Sequence, residues 1–287
     1  MNVIFFALAN TLIWTFLTVR WKNLRLKGLS PLSSYGLVSA GLPLWIITLI
    51  IMSQQYSIVH TSKYILLVVL WIAPVIISNL SDLYLIKLKP LSELKVYKFA
   101  FAALIGVLVD LLIFKTAFSY FTIIAISLFF TSGIFLSRNG IKKISEISLS
   151  KELLILLSLS IISVIMAFTY KAGLLIQSHP VVHGMILQIS SHTILLAISF
   201  SAMRKDFFKG ILKVKDLFIF GFLVYIYTVF EAFIFKALPA STVIMLGILN
   251  LVIFAAYDLK KGEFRLTPQI YIAGALAIAG IIVTGFI

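Results

Sequence analysis

The chain contains no cysteine among its 287 residues. Disulfide bonds, thiolate metal sites, thiol redox chemistry and lipid anchors attached to cysteine are therefore excluded. Charged residues are also scarce, at 12% of the chain against about a quarter in an average soluble domain. Acidic residues number 10 and basic residues 24, so the formal net charge is +14.

Sequence motifs of several enzyme classes are missing as well. No glycine-rich phosphate loop precedes a Lys-Ser or Lys-Thr pair, which excludes ATP as an energy source. Neither a His-Glu-x-x-His zinc helix nor a Gly-x-Ser-x-Gly nucleophile elbow occurs. We therefore expect a protein that is not an enzyme and that uses no cofactor.

Hydrophobic sequence is abundant: it makes up 61% of the chain, and the mean hydropathy is +1.12. Apolar windows of about 18–25 residues, long enough to cross a hydrocarbon core about 30 Å thick, recur along the chain. These long unbroken runs favour helices over the short alternating strands of a membrane barrel. The predicted spans are 2–19, 32–52, 64–86, 94–114, 117–137, 152–171, 180–203, 214–236, 240–257 and 267–287.

The two halves of the chain align when one is shifted by 149 residues. Pro31 then meets Pro180, and Lys22 meets Lys171. The run Asp82, Tyr84, Lys87, Pro90, Ser92 also falls on Glu231, Phe233, Lys236, Pro239, Ser241 without a gap. Such self-similarity indicates an internal repeat.

Each repeat contains five predicted spans, the first in residues 1–137 and the second in 152–287, joined by a loop at 138–151. Since five crossings reverse the direction of the chain, the second repeat enters the membrane from the opposite side. The sequence therefore predicts an all-α membrane protein with ten transmembrane helices in two inverted five-helix repeats.

Positive charge is distributed unevenly over the predicted loops. Of the lysines and arginines, only Lys63, Lys115, Lys171 and Lys236 lie outside the connections that follow odd-numbered spans. The positive-inside rule places those connections in the cytoplasm and both termini outside. The basic charge then sets orientation and contacts anionic lipid, so the lipid bilayer is an expected partner and nucleic acid is not. The expected location is a bacterial inner (plasma) membrane.

Two local features resemble a known family. Trp14 lies midway along the first span in Ala9-Asn10-Thr11-Leu12-Ile13-Trp14, and each half closes with a similar hairpin. That hairpin reads Leu238-Pro239-Ala240-Ser241, Gly262-Glu263, Gly274, Gly280 and Gly285 in the second half, and Lys89-Pro90-Leu91-Ser92, Asp110 and Gly133 in the first. With ten spans in two inverted repeats, the chain resembles the drug/metabolite transporter superfamily, EamA type. The resemblance implies a secondary transporter with a cavity between the halves and cytoplasmic termini, an orientation opposite to the one that the charges predict.

Inverted repeats can exchange shapes, which is the physical basis of alternating access around a site near the midplane. We expect a secondary active transporter of a small metabolite (an amino acid, amine or drug-like compound), driven by proton coupling or exchange. The alternative is a non-transporting or lipid-handling, flippase-like partner of an envelope enzyme. A polar cavity lined by Asn10, Trp14, Gln188 and Glu231 would favour transport, whereas a lateral apolar opening with a basic mouth would favour lipid handling.

Asp82 and Glu231 form a repeat-matched pair of acids within spans. A carboxylate in a span costs on the order of 2.5–3.5 kcal/mol, so each should face protein or water. One interpretation makes them gating or coupling groups whose protonation responds to access. In the other, each is a structural ion pair with a nearby lysine, such as Lys87, Lys98 or Lys236.

The remaining candidates are polar or aromatic residues inside predicted spans. The predicted substrate-binding residues are Asn10, Trp14, Gln188, His192, Tyr227 and Glu231. Gln188 and His192 share a helix face, whereas His183 lies on another. His183 and His192, the two histidines inside this span, lack the i, i+4 spacing of metal ligands, so no metal is expected. His192 either titrates near neutral pH or is a hydrogen-bonded packing residue.

Prolines and small residues predict two further features. Pro43 and Pro74 should kink the second and third spans. Small residues of the last span, such as Gly274 and Gly280, permit close helix packing within one chain or at a homodimer seam. The expected state is a monomer or a homodimer.

Overall fold

The computed structural model describes residues 3–85, 102, 105–115, 120–121, 123–128, 131–132, 151–260 and 268–284, and every regular element in these ranges is helical. Helices with defined bounds are α1 (Val3–Leu26), α2 (Pro31–Ser39), α3 (Leu42–Ser53), α4 (Ser62–Leu85), α5 (Lys151–Ile176), α6 (Pro180–Phe208), α7 (Val214–Ala237), α8 (Ala240–Lys260) and α9 (Pro268–Thr284). Residues 105–112 and 123–128 are helical too.

Six stretches of the described chain are long and apolar enough to cross a membrane. They are Val3–Leu26, Pro31–Ser53, Ser62–Asn79, Ser158–Ile176, Pro180–Phe208 and Val214–Ala237. Each coincides with a predicted span, and α8 and α9 occupy the positions of the last two. About half of the residues in the predicted spans at 94–114 and 117–137 lie outside the described residues. The prediction of an all-α membrane protein is confirmed.

The second span is broken into two helices, α2 and α3, at Ala40 and Gly41. Pro43 lies in the first turn of α3, where its missing N–H has no intrahelical acceptor to lose. The predicted kink at Pro43 corresponds to an interruption of the span, which the structure places at Ala40 and Gly41 just before this proline. Pro74, by contrast, lies inside α4, and the helix continues on both sides of it.

The chain divides into two compact units. Unit 1 comprises Met1–Thr11, Leu88–Phe168 and Ala237–Ile287; unit 2 comprises Leu12–Lys87 and Thr169–Lys236. The boundaries after Lys87 and after Lys236 lie 149 residues apart, which is the shift that aligns the two halves of the sequence.

In unit 2, α6 is the central helix and packs against α2, α3 and α4. Its 29 residues extend about 43 Å, so its two ends mark the two ends of the unit. At the end where α6 finishes, the Ser30 N–H and the Ser33 hydroxyl donate to Asp206 Oδ2 over 2.9 and 2.6 Å. Arg20 forms an ion pair with Asp216 at this end, which we call the basic end.

At the opposite end of unit 2, the connection between α3 and α4 meets the short connection between α5 and α6. Gln177 Oε1 accepts the Val59 N–H at 3.3 Å, and Gln177 Nε2 donates to the Ser57 carbonyl at 3.2 Å. The Tyr56 ring packs on the His179 ring with centroids 4.0 Å apart. α1 therefore finishes at the basic end and α5 at the opposite end, so the two helices run in opposite directions.

In unit 1, one buried carboxylate caps a helix. Asp110 is 1% exposed and lies in the helical stretch 105–112. Its two oxygens accept the N–H groups of Ala240 (3.3 Å) and Ser241 (2.7 Å), the first residues of α8. These donors have no acceptor within α8, so Asp110 supplies the cap from another helix.

Candidate functional site

The inward face of α7 carries a carboxylate. Phe220, Val224, Thr228 and Phe235 are buried along one stripe of this helix, and Glu231 lies in the same stripe by its spacing. The most exposed apolar side chain, Phe218 (74%), lies about 140° around the helix from Glu231 at about 100° per residue. Glu231 therefore points towards the protein rather than towards lipid.

Glu231 belongs to a cluster with two aromatic residues. The Tyr227 hydroxyl donates to Glu231 Oε1 at 3.0 Å. The Trp14 ring, from α1, packs on the Tyr227 ring with centroids 5.1 Å apart and planes tilted by 36°. All three side chains are half-buried. A carboxylate and two rings thus form one surface, which we call the Glu231 cluster.

The structural ion pair considered for Glu231 is not found among the described lysines and arginines. The described part of the chain contains one carboxylate–cation pair, between Arg20 and Asp216. Lys236 is exposed, and Lys171 Nζ donates to the Phe235 carbonyl at 2.7 Å. The side chain of Asp82 in α4 lies outside the described residues. Both interpretations of Asp82, as a gating or coupling group and as a structural ion pair, therefore stay predictions.

Towards the basic end, the seam between α1 and α7 is closed. Trp21 is buried against Phe220 with centroids 5.9 Å apart, and its Nε1–H donates to the Ser34 carbonyl at 3.1 Å. The ion pair of Arg20 with Asp216 follows at the end of the seam. Towards the opposite end, Glu231 lies six residues, or about 9 Å, before the last residue of α7.

His183 joins three helices and is fully buried. Its Nε2 lies 3.0 Å from the Tyr170 carbonyl, and its Nδ1 lies 2.8 Å from the Tyr64 hydroxyl. Because a carbonyl can only accept, Nε2 carries the hydrogen and Nδ1 accepts from Tyr64. Both nitrogens are engaged, so His183 is a packing residue that ties α4, α5 and α6 together.

His192 and Gln188, one turn apart on α6, are both buried, and His192 lies beside the break in the second span. His192 Nδ1 lies 3.4 Å from the Ser39 hydroxyl, and its ring packs on Trp45 with centroids 5.1 Å apart. The Ser39 hydroxyl also donates to the Tyr35 carbonyl at 3.2 Å. No described contact joins His192 to the Glu231 cluster, so the packing interpretation of His192 has structural support.

The six predicted binding residues therefore separate into groups. Trp14, Tyr227 and Glu231 come together in unit 2, while His192 lies at the helix break and Gln188 is buried one turn before it on α6. Asn10 lies one turn before Trp14 on α1 but belongs to unit 1, and its buried Oδ1 has no hydrogen-bond partner among the described residues.

Outside the spans, His179 caps the start of α6. Its Nδ1 accepts the Val182 N–H at 3.4 Å. Burial of the imidazole lowers the pKa of His179 below its usual value, and the positive charge of Lys236 lowers it further. The neutral form of His179 is therefore the one that the fold stabilises.

Sequence reasoning did not identify several residues that position the Glu231 cluster. Trp21, Phe220, Arg20 and Asp216 complete the seam between α1 and α7. One signal was available: Trp14 and Trp21 on one helix, and Phe220 and Tyr227 on the other, are each seven residues apart and share a face. Such matched spacing on two helices is typical of interdigitating side chains.

Comparison with known proteins gives information on the fold. No protein-family model matches the chain, and no curated protein matches it. Among solved structures, 27 chains match. One of these, described as "Crystal structure of protein", has a TM-score of 0.60 and 14% identity, and the match covers 98% of this chain and 96% of that one. This likeness concerns the fold alone, and it extends over nearly the whole chain.

Proposed function

We propose that the chain is a secondary active transporter of a small metabolite, with the Glu231 cluster as part of its substrate site. Glu231 carries the proposal. Its carboxylate lies on the inward face of a membrane span, accepts one hydroxyl hydrogen bond, and has no ion-pair partner among the described residues. Because a carboxylate in a span is costly, one without a structural counter-ion is best explained by a proton or a cation that it binds during function.

The arrangement of unit 2 supports the inverted repeat. α2 begins at Pro31 at the basic end, and α6 begins at the repeat-matched Pro180 at the opposite end. α1 and α5 likewise occupy matched positions in the two halves and run in opposite directions. Helices that are equivalent in sequence but opposite in direction are the expected result of inversion.

The number of crossings also agrees with ten helices. The connections before α4 and after α5 meet at one end of unit 2. An even number of crossings must therefore separate them, and α4 and α5 supply two. The spans predicted at 94–114 and 117–137 would add two more and preserve this parity. Membership of the EamA type, a bacterial inner membrane and external termini belong to the same proposal, with the charge bias as support for the orientation.

The lipid-handling alternative requires an apolar lateral opening with basic residues at its mouth. The Glu231 cluster instead presents a carboxylate and two aromatic faces that remain half-exposed. This combination suits a solute with a polar group, which favours transport.

The test is solute flux in proteoliposomes after a thermal-shift screen of metabolites on the purified protein. A ligand at 100 times its dissociation constant adds about 2.7 kcal/mol of stability, which such a screen detects. Glu231→Gln preserves the size of the side chain and removes its charge. We expect this variant to fold, to lose ligand stabilisation and to reduce uptake at least about ten-fold, the equivalent of about 1.4 kcal/mol.

Tyr225→Phe is the matched control. Tyr225 lies on the same helix and accepts a hydrogen bond from Thr48 at 3.0 Å, outside the Glu231 cluster. Removing the Tyr225 hydroxyl should leave ligand binding and flux unchanged. Wild-type flux in the Glu231→Gln variant, with its pH dependence intact, would overturn the proposal.

A further inference from the structure

We infer that the transported substrate is an organic cation: a protonated amine that carries a flat apolar ring. Its ammonium group binds the Glu231 carboxylate, and its ring lies against Trp14 and Tyr227. This inference rests on the proposed function and selects one of the three substrate classes that composition left open.

The charge of the cluster is the first argument. Glu231 Oε1 accepts from Tyr227, whereas Oε2 accepts no hydrogen bond from the described residues. An ammonium group offers both the missing positive charge and hydrogen-bond donors for that oxygen. An anionic substrate would meet a like charge at the same position.

The aromatic rings distinguish an organic cation from a metal ion. Calcium takes 6–8 oxygen ligands and magnesium needs near-octahedral coordination. The cluster offers a single carboxylate, and no group of three metal-ligating side chains occurs in the part of the chain that the structure describes. Trp and Tyr faces bind organic cations through the ring quadrupole, and the indole of Trp14 is the strongest such surface.

A zwitterionic amino acid also fits less well than an amine. Its carboxylate would need a cation or free N–H groups beside Glu231. Among the described basic residues, Lys171 forms a hydrogen bond to this stretch of α7: its Nζ donates to the Phe235 carbonyl. Arg20 is paired with Asp216 at the far end of the seam. Among the described residues, the cluster therefore offers a counter-charge to the ammonium group of a zwitterion but none to its carboxylate.

The open aromatic surface limits the size of the bound ring. Trp14 and Tyr227 are half-buried, whereas Trp21 and Phe220, the next pair along the seam, are buried against each other. A ligand can therefore contact the faces of Trp14 and Tyr227 but cannot extend further along the seam, where Trp21 and Phe220 pack against each other. This surface fits one ring system attached to the amine by a short linker.

Four probes separate charge from ring. Tryptamine has the ammonium and the ring, L-tryptophan adds a carboxylate, indole-3-propionate has the ring with a negative charge, and propylamine has the ammonium without the ring. Thermal stabilisation of the full-length protein in nanodiscs measures binding of each. We expect tryptamine to bind at least ten-fold more tightly than each of the others, and indole-3-propionate to give no shift.

Variants test which residue binds the ammonium group of the ligand and which contacts its ring. Glu231→Gln should abolish tryptamine binding, and Trp14→Leu should weaken it on the order of ten-fold by removing the aromatic face on which the ligand ring packs. Tyr225→Phe should change neither. If Glu231→Gln fails to fold, Glu231→Asp retains the charge, and we expect it to bind tryptamine more weakly with the same order among the four probes.

The outcomes separate this inference from the proposed function. Glu231-dependent binding and flux of L-tryptophan or indole-3-propionate, equal to or above those of tryptamine, would overturn the inference and leave transport standing. Binding of tryptamine that is unchanged in Glu231→Gln, or no binding of any probe, would also overturn it. Absence of Glu231-dependent flux for every solute in the metabolite screen would overturn the proposed function as well.

Discussion

Replacing Gly221 with alanine should destabilise the protein because α7 presses directly on the break between α2 and α3. A Cβ atom at position 221 would lie 2.6 Å from the Ala40 carbonyl oxygen and 3.0 Å from its carbonyl carbon. These are backbone atoms, so no rotamer change relieves the contact. Overpacking costs about 1–3 kcal/mol, and a backbone clash belongs at the upper end. Alanine recovers about 1 kcal/mol of helix propensity, which leaves a net loss of about 2 kcal/mol.

The assay is thermal unfolding of the purified protein in detergent. A loss of about 2 kcal/mol corresponds to a fall in Tm of about 4–8 °C in a chain of this size class. The shift of α7 needed to accommodate the methyl group should also displace Glu231 and weaken ligand binding.

The matched control is Gly36→Ala, the same substitution in α2. Its Cβ would meet the Met203 side chain, with Sδ at 1.6 Å, and a methionine side chain can move away. Combining Gly36→Ala with Met203→Ala should therefore recover part of any loss. A Tm for Gly221→Ala equal to or above that of the wild type would refute the close packing of α7 on Ala40.

Two further predictions concern groups outside the Glu231 cluster. Asp110→Ala leaves two N–H groups at the start of α8 without their acceptor and should lower the free energy of unfolding by about 2 kcal/mol. Asp110→Asn retains one acceptor and should lower it by about half as much. Equal Tm values for the wild type and the alanine variant would exclude the cap. His179 has a lowered folded pKa, so its contribution to stability is present above the unfolded pKa and is lost as the pH falls below it towards the folded value. His179→Asn keeps a cap acceptor without titration, so between about pH 7.5 and about pH 5 the wild type should lose more Tm than the variant, and a parallel loss in both would assign the effect to other groups.

Span positions were predictable because the membrane imposes them. A hydrocarbon core about 30 Å thick requires about 20 apolar residues per helix, and hydropathy along the chain records this requirement directly. The six membrane-spanning stretches of the described chain match their predicted counterparts for this reason. Pro43 was an equally local signal, since a missing N–H and a fixed φ favour the first turn of a new helix. α4 continues through Pro74, and the kink predicted there stays a prediction.

Which polar side chains meet was not predictable from such patterns. Trp14 and Tyr227 come from helices far apart in the chain, and their contact depends on how α1 and α7 are rotated and packed. His192 was, like Glu231, a predicted binding residue inside a span, yet it lies against Trp45 and Ser39 at the helix break. Hydropathy encodes whether a residue is in a span but says little about which neighbouring helix its side chain faces.

The sequence by itself therefore determined that this is an all-helical membrane protein, where its described spans lie, and that Glu231 is an acid inside one of them. Only the tertiary structure decided that Glu231 joins Tyr227 and Trp14 without an ion-pair partner among the described residues, while Asp206, Asp216 and Asp110 are used to hold connections and helix ends. The physical reason is that bilayer thickness acts on each segment separately, whereas the partner of a buried polar group is supplied by another helix, whose position depends on the packing of the whole unit.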